Sequence, residues 1–141
     1  METFEAESLI NASLSTVWDI ITDDSNYTLW NSGITRIEGD VRDGQIIRVR
    51  TVAGGRRTYP LHVLQIPGQS MTWISNTPLG LCKRVVTFTV YAHPESTRLN
   101  VTEEVSGVLR RPLRKAVPGM GPGVCDFVAA VKTRAEVFGW R

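Results

Sequence analysis

The sequence predicts an α+β fold in which a seven-stranded antiparallel sheet curves around one long C-terminal helix. Three observations lead there. From about Pro118 to Arg141, apolar residues at Val124, Phe127, Val128, Val131, Ala135 and Phe138 recur three or four apart, which places them on one stripe of a helix. Between Ile34 and Gly107 the chain breaks into short β-forming runs separated by Gly, Pro, Asn and Asp turn signals, the pattern of an antiparallel meander. Helical signals before the meander are confined to two short segments after a first strand, too little for a series of parallel crossovers. The terminal helix needs a large apolar surface, and the meander is the candidate. A cavity between the two is a natural outcome of such an arrangement.

The elements follow in order. Thr3 to Asn11 reads as the first strand, with Phe4, Ala6 and the Leu9/Ile10 pair in imperfect alternation. Ser13 or Ser15 then caps a helix whose Val17, Ile20 and Ile21 share one side, with Trp18 beside them. A second short helix is predicted from about Ser25 to Trp30, stopped by Asn31, Ser32 and Gly33. Strands are predicted at Ile34–Glu38, Gln45–Val52, Thr58–Ile66, Ser70–Asn76, Cys82–Ala92 and Thr97–Gly107, with turns at Asp43-Gly44, Ala53-Gly54-Gly55, Pro67-Gly68 and His93 to Ser96. Consecutive short strands joined by tight turns imply neighbours in one sheet. The Pro/Gly-dense stretch Pro112 to Gly123 connects the meander to the last helix.

The totals narrow the function classes. A chain of 141 residues fits a single domain, 1–141, able to bury a core without metals or disulfides. No apolar run reaches eighteen residues, and METFEAESLI has acids where a signal peptide carries bases, so a cytoplasmic location is the default. Cys82 and Cys125 stand outside any metal-ligand spacing and read as two reduced, packed thiols. The net charge of +2 conceals nine acids and two bases in residues 1–44 against five acids and fourteen bases in residues 45–141. That asymmetry is met by internal complementarity or by a basic rim that attracts anions.

The last two strands give the sharpest phase. Leu99, Val101, Glu103 and Val105 form one alternate set, apolar except for Glu103, and Arg98, Asn100, Thr102 and Glu104 form the polar one. In the preceding strand Arg84, Val86, Phe88 and Val90 make the inward set. Pairing Ala92 with Thr97 puts Val86 opposite Glu103 and Arg84 opposite Val105, so that Arg84 and Glu103 become diagonal neighbours on the inner face. A one-residue slip would separate them.

The order of strand, STVWDIITDDSNYTLWNSGI, a glycine-punctuated set of strands containing MTWIS, then TRLNVTEEVSG and a terminal helix ending VAAVKTRAE, resembles the START-related polyketide cyclase/dehydrase and lipid-transport superfamily, often called SRPBCC, which shares the helix-grip fold of the birch pollen allergen. The likeness covers essentially the whole chain. It implies a seven-stranded sheet gripping the last helix with an apolar tunnel between them. Cyclases, dehydrases and lipid carriers all occur in that superfamily, and no catalytic set is common to it. The PLRKAVPGMGPG approach to the last helix departs from the pattern, and its prolines and glycines should shorten or kink the first turns.

Candidate ligand-binding residues are Trp30, Trp73, Phe88, Met120 and Phe127, whose side chains suit either an apolar cavity wall or plain core. Glu103 and Arg84 are the polar candidates. A carboxylate in an apolar cavity can act as a general acid or base in cyclisation or dehydration, and an arginine beside it would hold it ionised or bind a ligand carbonyl; a structural ion pair is the competing reading. His62, out of phase with Leu61 and Val63, faces outward, and His93 lies in a turn. Neither has companions for a metal site or a nucleophile triad, and no phosphate or dinucleotide fingerprint occurs, so no metal and no cofactor are expected. Arg110, Arg111, Arg114 and Lys115 form a basic run without acids, either a solvated loop or a transient contact for a membrane or an acyl carrier. Nucleic acid is disfavoured, because no aromatic residues interleave with the bases. The leading expectation is binding of a small lipid-like, polyketide or aromatic molecule in an internal cavity. The alternative is a cyclase/dehydrase-type enzyme using Glu103 with Arg84.

Overall fold

The computed structural model describes residues 2–23, 34–51, 58–76, 79, 81–108 and 123–138. Seven strands, β1 (Glu2–Ile10), β2 (Ile34–Glu38), β3 (Ile46–Thr51), β4 (Tyr59–Ile66), β5 (Ser70–Asn76), β6 (Lys83–His93) and β7 (Ser96–Ser106), join one antiparallel sheet in the order β1-β7-β6-β5-β4-β3-β2. Six of them follow the chain as hairpin neighbours. The exception is β1, which pairs with β7 from Glu2↔Val105 to Ile10↔Thr97. The predicted strands thus exist within a residue or two of their expected limits. The second short helix expected at Ser25–Trp30 and the turn at Ala53–Gly55 lie outside the described residues.

Among the described residues, two helices pack against the sheet. Helix α1 (Leu14–Thr22) starts where the Ser13 hydroxyl accepts the Thr16 amide hydrogen at 3.2 Å, which satisfies one of the amides that the first turn leaves without a carbonyl partner. It buries Val17, Ile20 and Ile21. The link from β1 to α1 is pinned by the Thr97 hydroxyl, which donates to the Ala12 carbonyl at 2.8 Å. Helix α2 (Val124–Phe138) buries Val124, Phe127, Val128, Val131 and Ala135, and Phe138 packs partly against the same core. The apolar stripe read from the sequence is therefore its inward face. Its first described turn begins at Val124, and the Pro/Gly-dense approach from Pro112, Pro118 included, lies outside the described residues.

Helix α2 is also stapled by polar contacts that periodicity does not reveal. Lys132 Nζ donates to the Leu9 carbonyl at 2.9 Å and to Glu136 Oε2 at 2.6 Å, and the same oxygen accepts the Asn11 amide hydrogen at 2.9 Å. These bonds tie the second half of the helix to the end of β1.

Strand alternation assigns the faces. Ile47, Val49, Leu61, Val63, Met71, Trp73, Phe88 and Leu99 are buried on the helix side, while Arg48, His62, Leu64 and Glu104 point outward. His62 and His93 are both exposed; His62 follows its predicted outward phase, whereas His93, expected in the turn, is the last residue of β6 and pairs with Ser96. Gly39 closes the β2 end at φ 100°, and a Cβ there would lie 3.1 Å from the Ile46 carbonyl oxygen, so a side chain at this position is strained by conformation and by contact. One thiol reading is corrected. Neither cysteine is in a disulfide, but only Cys82 is packed; Cys125 is exposed, because position 125 follows Val124 on the helix and is turned about 100° from the buried stripe.

Candidate functional site

The site is built from the long hairpin of β6 and β7. Its register runs from His93↔Ser96 and Ala92↔Thr97 down to Arg84↔Val105 and Lys83↔Ser106. That is the pairing the turn predicted, and it puts Val86 opposite Glu103. Arg84 and Glu103 are diagonal neighbours on the helix-facing side. Arg84 Nη1 donates to Glu103 Oε1 at 2.7 Å, with the two side chains only 5% and 0% exposed. Such a pair is short enough to be charge-assisted and buried enough to escape solvent screening.

The neighbouring strands surround the pair with defined company. Ser75 on β5 is the direct partner of Arg84, and Trp73 is the direct partner of Val86. On the other side Phe4 of β1 stands opposite Glu103, and Glu2 opposite Val105. Ser75 is itself buried at 5% exposure. The inner face at this end of the sheet therefore presents Ser75, Arg84, Glu103 and Glu2 among apolar residues. Ser75 was not singled out from the sequence, although it continues the inward phase of Met71 and Trp73. Phe4 and Glu2 could not be placed there without knowing that β1 pairs with β7.

An aromatic file runs from the sheet to the helix beside this polar group. Trp73 and Phe88 meet edge to face with centroids 4.9 Å apart, and Phe88 meets Phe127 at 5.5 Å. Phe127 thus lies above the middle of β6, while Lys132 and Glu136 reach the far end of β1. Helix α2 consequently runs away from the Arg84–Glu103 end, and its first turn is the part nearest to that end. Of the residues expected to bind a ligand, Trp73, Arg84, Phe88, Glu103 and Phe127 share the interior between sheet and helix. Trp30 and Met120 lie outside the described residues, as do Arg110, Arg111, Arg114 and Lys115. Among the described residues, no three His, Cys, Asp or Glu side chains cluster as a metal site would need, and no helix is long and apolar enough to cross a membrane.

A curled antiparallel sheet closed by a C-terminal helix, with a buried ion pair on the gripped face, defines a helix-grip protein. The chain belongs to the polyketide cyclase / dehydrase and lipid transport family, whose model matches residues 1–136. Solved structures share the fold. The Zhui aromatase/cyclase from a Streptomyces species superposes with a TM-score of 0.73 at 17% identity, covering 96% of this chain and 93% of that one. A START superfamily protein from Mycobacterium smegmatis gives 0.67 at 18% identity over 96% and 98% of the two chains. DynU16, from the dynemicin biosynthetic locus, gives 0.71 at 19% identity; all of this chain is covered, but it spans only 51% of that one. A search of curated protein sequences finds no match.

Proposed function

We propose that the protein binds a small hydrophobic molecule, lipid-like, polyketide or aromatic, between the sheet and α2, with Trp73, Phe88 and Phe127 as apolar wall and Arg84 with Glu103 as the polar end. The observation that carries this reading is the buried Arg84–Glu103 pair on the helix-facing side of the sheet, in a chain of a family whose description joins cyclisation, dehydration and lipid transport. A buried ion pair contributes little net stability over apolar residues of similar size, because desolvation of both ions offsets their attraction. Its retention among aromatic residues therefore suits recognition of a ligand's polar group. Trp30 and Met120 extend the wall in this proposal, and Arg110, Arg111, Arg114 and Lys115 offer a basic approach for an anionic carrier or surface.

A second reading, catalysis, draws on the same pair. Held by its hydrogen bond from Arg84, the Glu103 carboxylate can take a proton from the carbon next to a ligand carbonyl while the guanidinium holds the developing enolate oxygen. Returned to a departing hydroxyl, that proton leaves as water, which balances a dehydration. The aromatase/cyclase activity in the name of one structural relative favours this chemistry over hydrolysis.

Native mass spectrometry of purified protein, before and after solvent extraction, tests the binding reading. The expected result is a bound apolar compound, or saturable uptake from a panel of fatty acids, sterols and polycyclic aromatics. A chain that carries none and takes up none would reject it. Glu103→Gln separates the two readings: catalysis predicts a parent protein with turnover that the variant loses while ligand uptake is preserved, whereas simple carriage predicts no turnover in either protein and weaker uptake by the variant.

A further inference from the structure

The helix-facing side of the sheet carries few charges, and among them carboxylates outnumber cations. Among the described residues of that side, the charged ones are Glu2 on β1, Arg84 on β6 and Glu103 on β7, one guanidinium to two carboxylates. The other described cations of the sheet, Arg36, Arg48, Arg50, Lys83 and Arg98, stand in the outward phase of their strands. Arg84 is engaged within the sheet itself, because its Nη1 donates to Glu103 Oε1 at 2.7 Å with both side chains buried. An uncharged polar group completes this end, since the buried Ser75 is paired directly with Arg84.

That balance bears on the charge of a ligand. A carboxylate or sulfate group entering this interior is an anion leaving water, and it needs a cation to offset its lost hydration. The guanidinium on this face already serves Glu103, so an anionic ligand must either lie beside that carboxylate or draw Arg84 away from it. In the second case Glu103 loses that partner, and the exchange gains nothing. Hydrogen bonds are shared more freely than charge. A carboxylate oxygen accepts more than one donor, a guanidinium has five N–H groups, and a serine hydroxyl both donates and accepts. A ligand hydroxyl or carbonyl can therefore join Ser75, Arg84 and Glu103 with the ion pair intact.

We infer that the ligand group recognised at this end is uncharged, a hydroxyl or a carbonyl, and that Glu103 sets this preference by holding Arg84. Given the ligand site proposed above, on which this preference depends, alcohols, phenols, sterols and ketones fit the interior and fatty acids do not. Glu103 thereby acts as a specificity determinant that excludes anions, a role separate from proton transfer. An arginine without a carboxylate beside it would select the opposite class, because its charge would be met by the ligand.

Equilibrium dialysis of the intact chain at neutral pH against matched probes tests the preference: dodecanol with dodecanoate, naphthol with naphthoate, and estradiol with estradiol sulfate. Each pair shares an apolar body and differs in charge. The expected result is a neutral member bound roughly tenfold or more tighter than its anion. Glu103→Gln keeps the shape of the side chain and removes its charge, so it should shrink that ratio by roughly tenfold or reverse it, through a gain in affinity for the anion. Circular dichroism and thermal unfolding verify that the variant is folded, and the comparison on the parent chain decides the matter without it. Anions that bind the parent as tightly as their neutral counterparts, or a ratio unmoved in folded Glu103→Gln, overturn the preference and leave the binding site standing. If no probe of any pair binds, the ligand site itself is rejected and the preference with it.

Discussion

Arg84 and Glu103 have opposite requirements for stability and for chemistry, and substitution separates them. Removing either partner alone breaks a buried charge pair, so Arg84→Ala or Glu103→Ala should lower unfolding free energy by about 3–5 kcal/mol. The double variant Arg84→Met with Glu103→Leu should recover most of that loss in urea denaturation, because apolar residues of similar size need no desolvation. If the double variant instead remains as unstable as the singles, the pair is held for packing reasons that apolar side chains cannot meet. This pair was legible in the sequence because one inward position in β7 broke an apolar alternation and a short turn fixed the register to β6. Phe4 and Glu2 were not, since their placement depends on a strand neighbour that local pattern does not encode; for Ser75 the local phase gives the face but not that Arg84 is its partner. Cys125 was misread for a related reason: free cysteine is often buried, and only its angular position on α2 decides otherwise.

Helix α2 was legible as an apolar stripe, but the stripe says only that a surface exists and not which strand the helix is fastened to. The fastening is electrostatic. Glu136 accepts from Lys132 and from the Asn11 amide, and these two hydrogen bonds, the lysine's first, hold its carboxyl below the ordinary glutamate range. A carboxyl depressed in the folded state stabilises above the unfolded value, about pH 4.3, and loses that contribution as pH falls through the lower folded value. Thermal unfolding of Glu136→Gln should therefore lie below the parent at neutral pH, by under about 1 kcal/mol because the group is largely solvated. The gap should close below roughly pH 4. A gap that persists unchanged at low pH would assign the effect to helix packing. The strands were read more completely than the helix's attachments, since a period of two with Gly and Pro punctuation carries both extent and face.

At the scale of the molecule, β6 and β7 are flanked on both sides by paired strands and covered by Phe88, Phe127 and Val131, whereas β2 is a short edge. Native-state hydrogen exchange should accordingly be slowest for amides of β6 and β7 and fastest, among the strands, for β2; equal protection of β2 would mean that the edge is covered. The fold was legible as a whole because nearest-neighbour hairpins account for most of it, and only β1 and α2 close across long stretches of chain. That division has a kinetic side, and it begins at the turn His93–Ser96, where two residues, Pro94 and Glu95, separate paired positions. Proline there limits the conformations of the open chain, and the hairpin it starts closes a loop of minimal length. Contacts so close in sequence form with little loss of chain entropy, while joining β1 to β7 brings together residues from 87 (Ile10 and Thr97) to 103 (Glu2 and Val105) positions apart. The β6–β7 hairpin is thus placed to nucleate folding, with the Arg84–Glu103 pair set at its open end as the zipper completes and the first strand and last helix arriving after it.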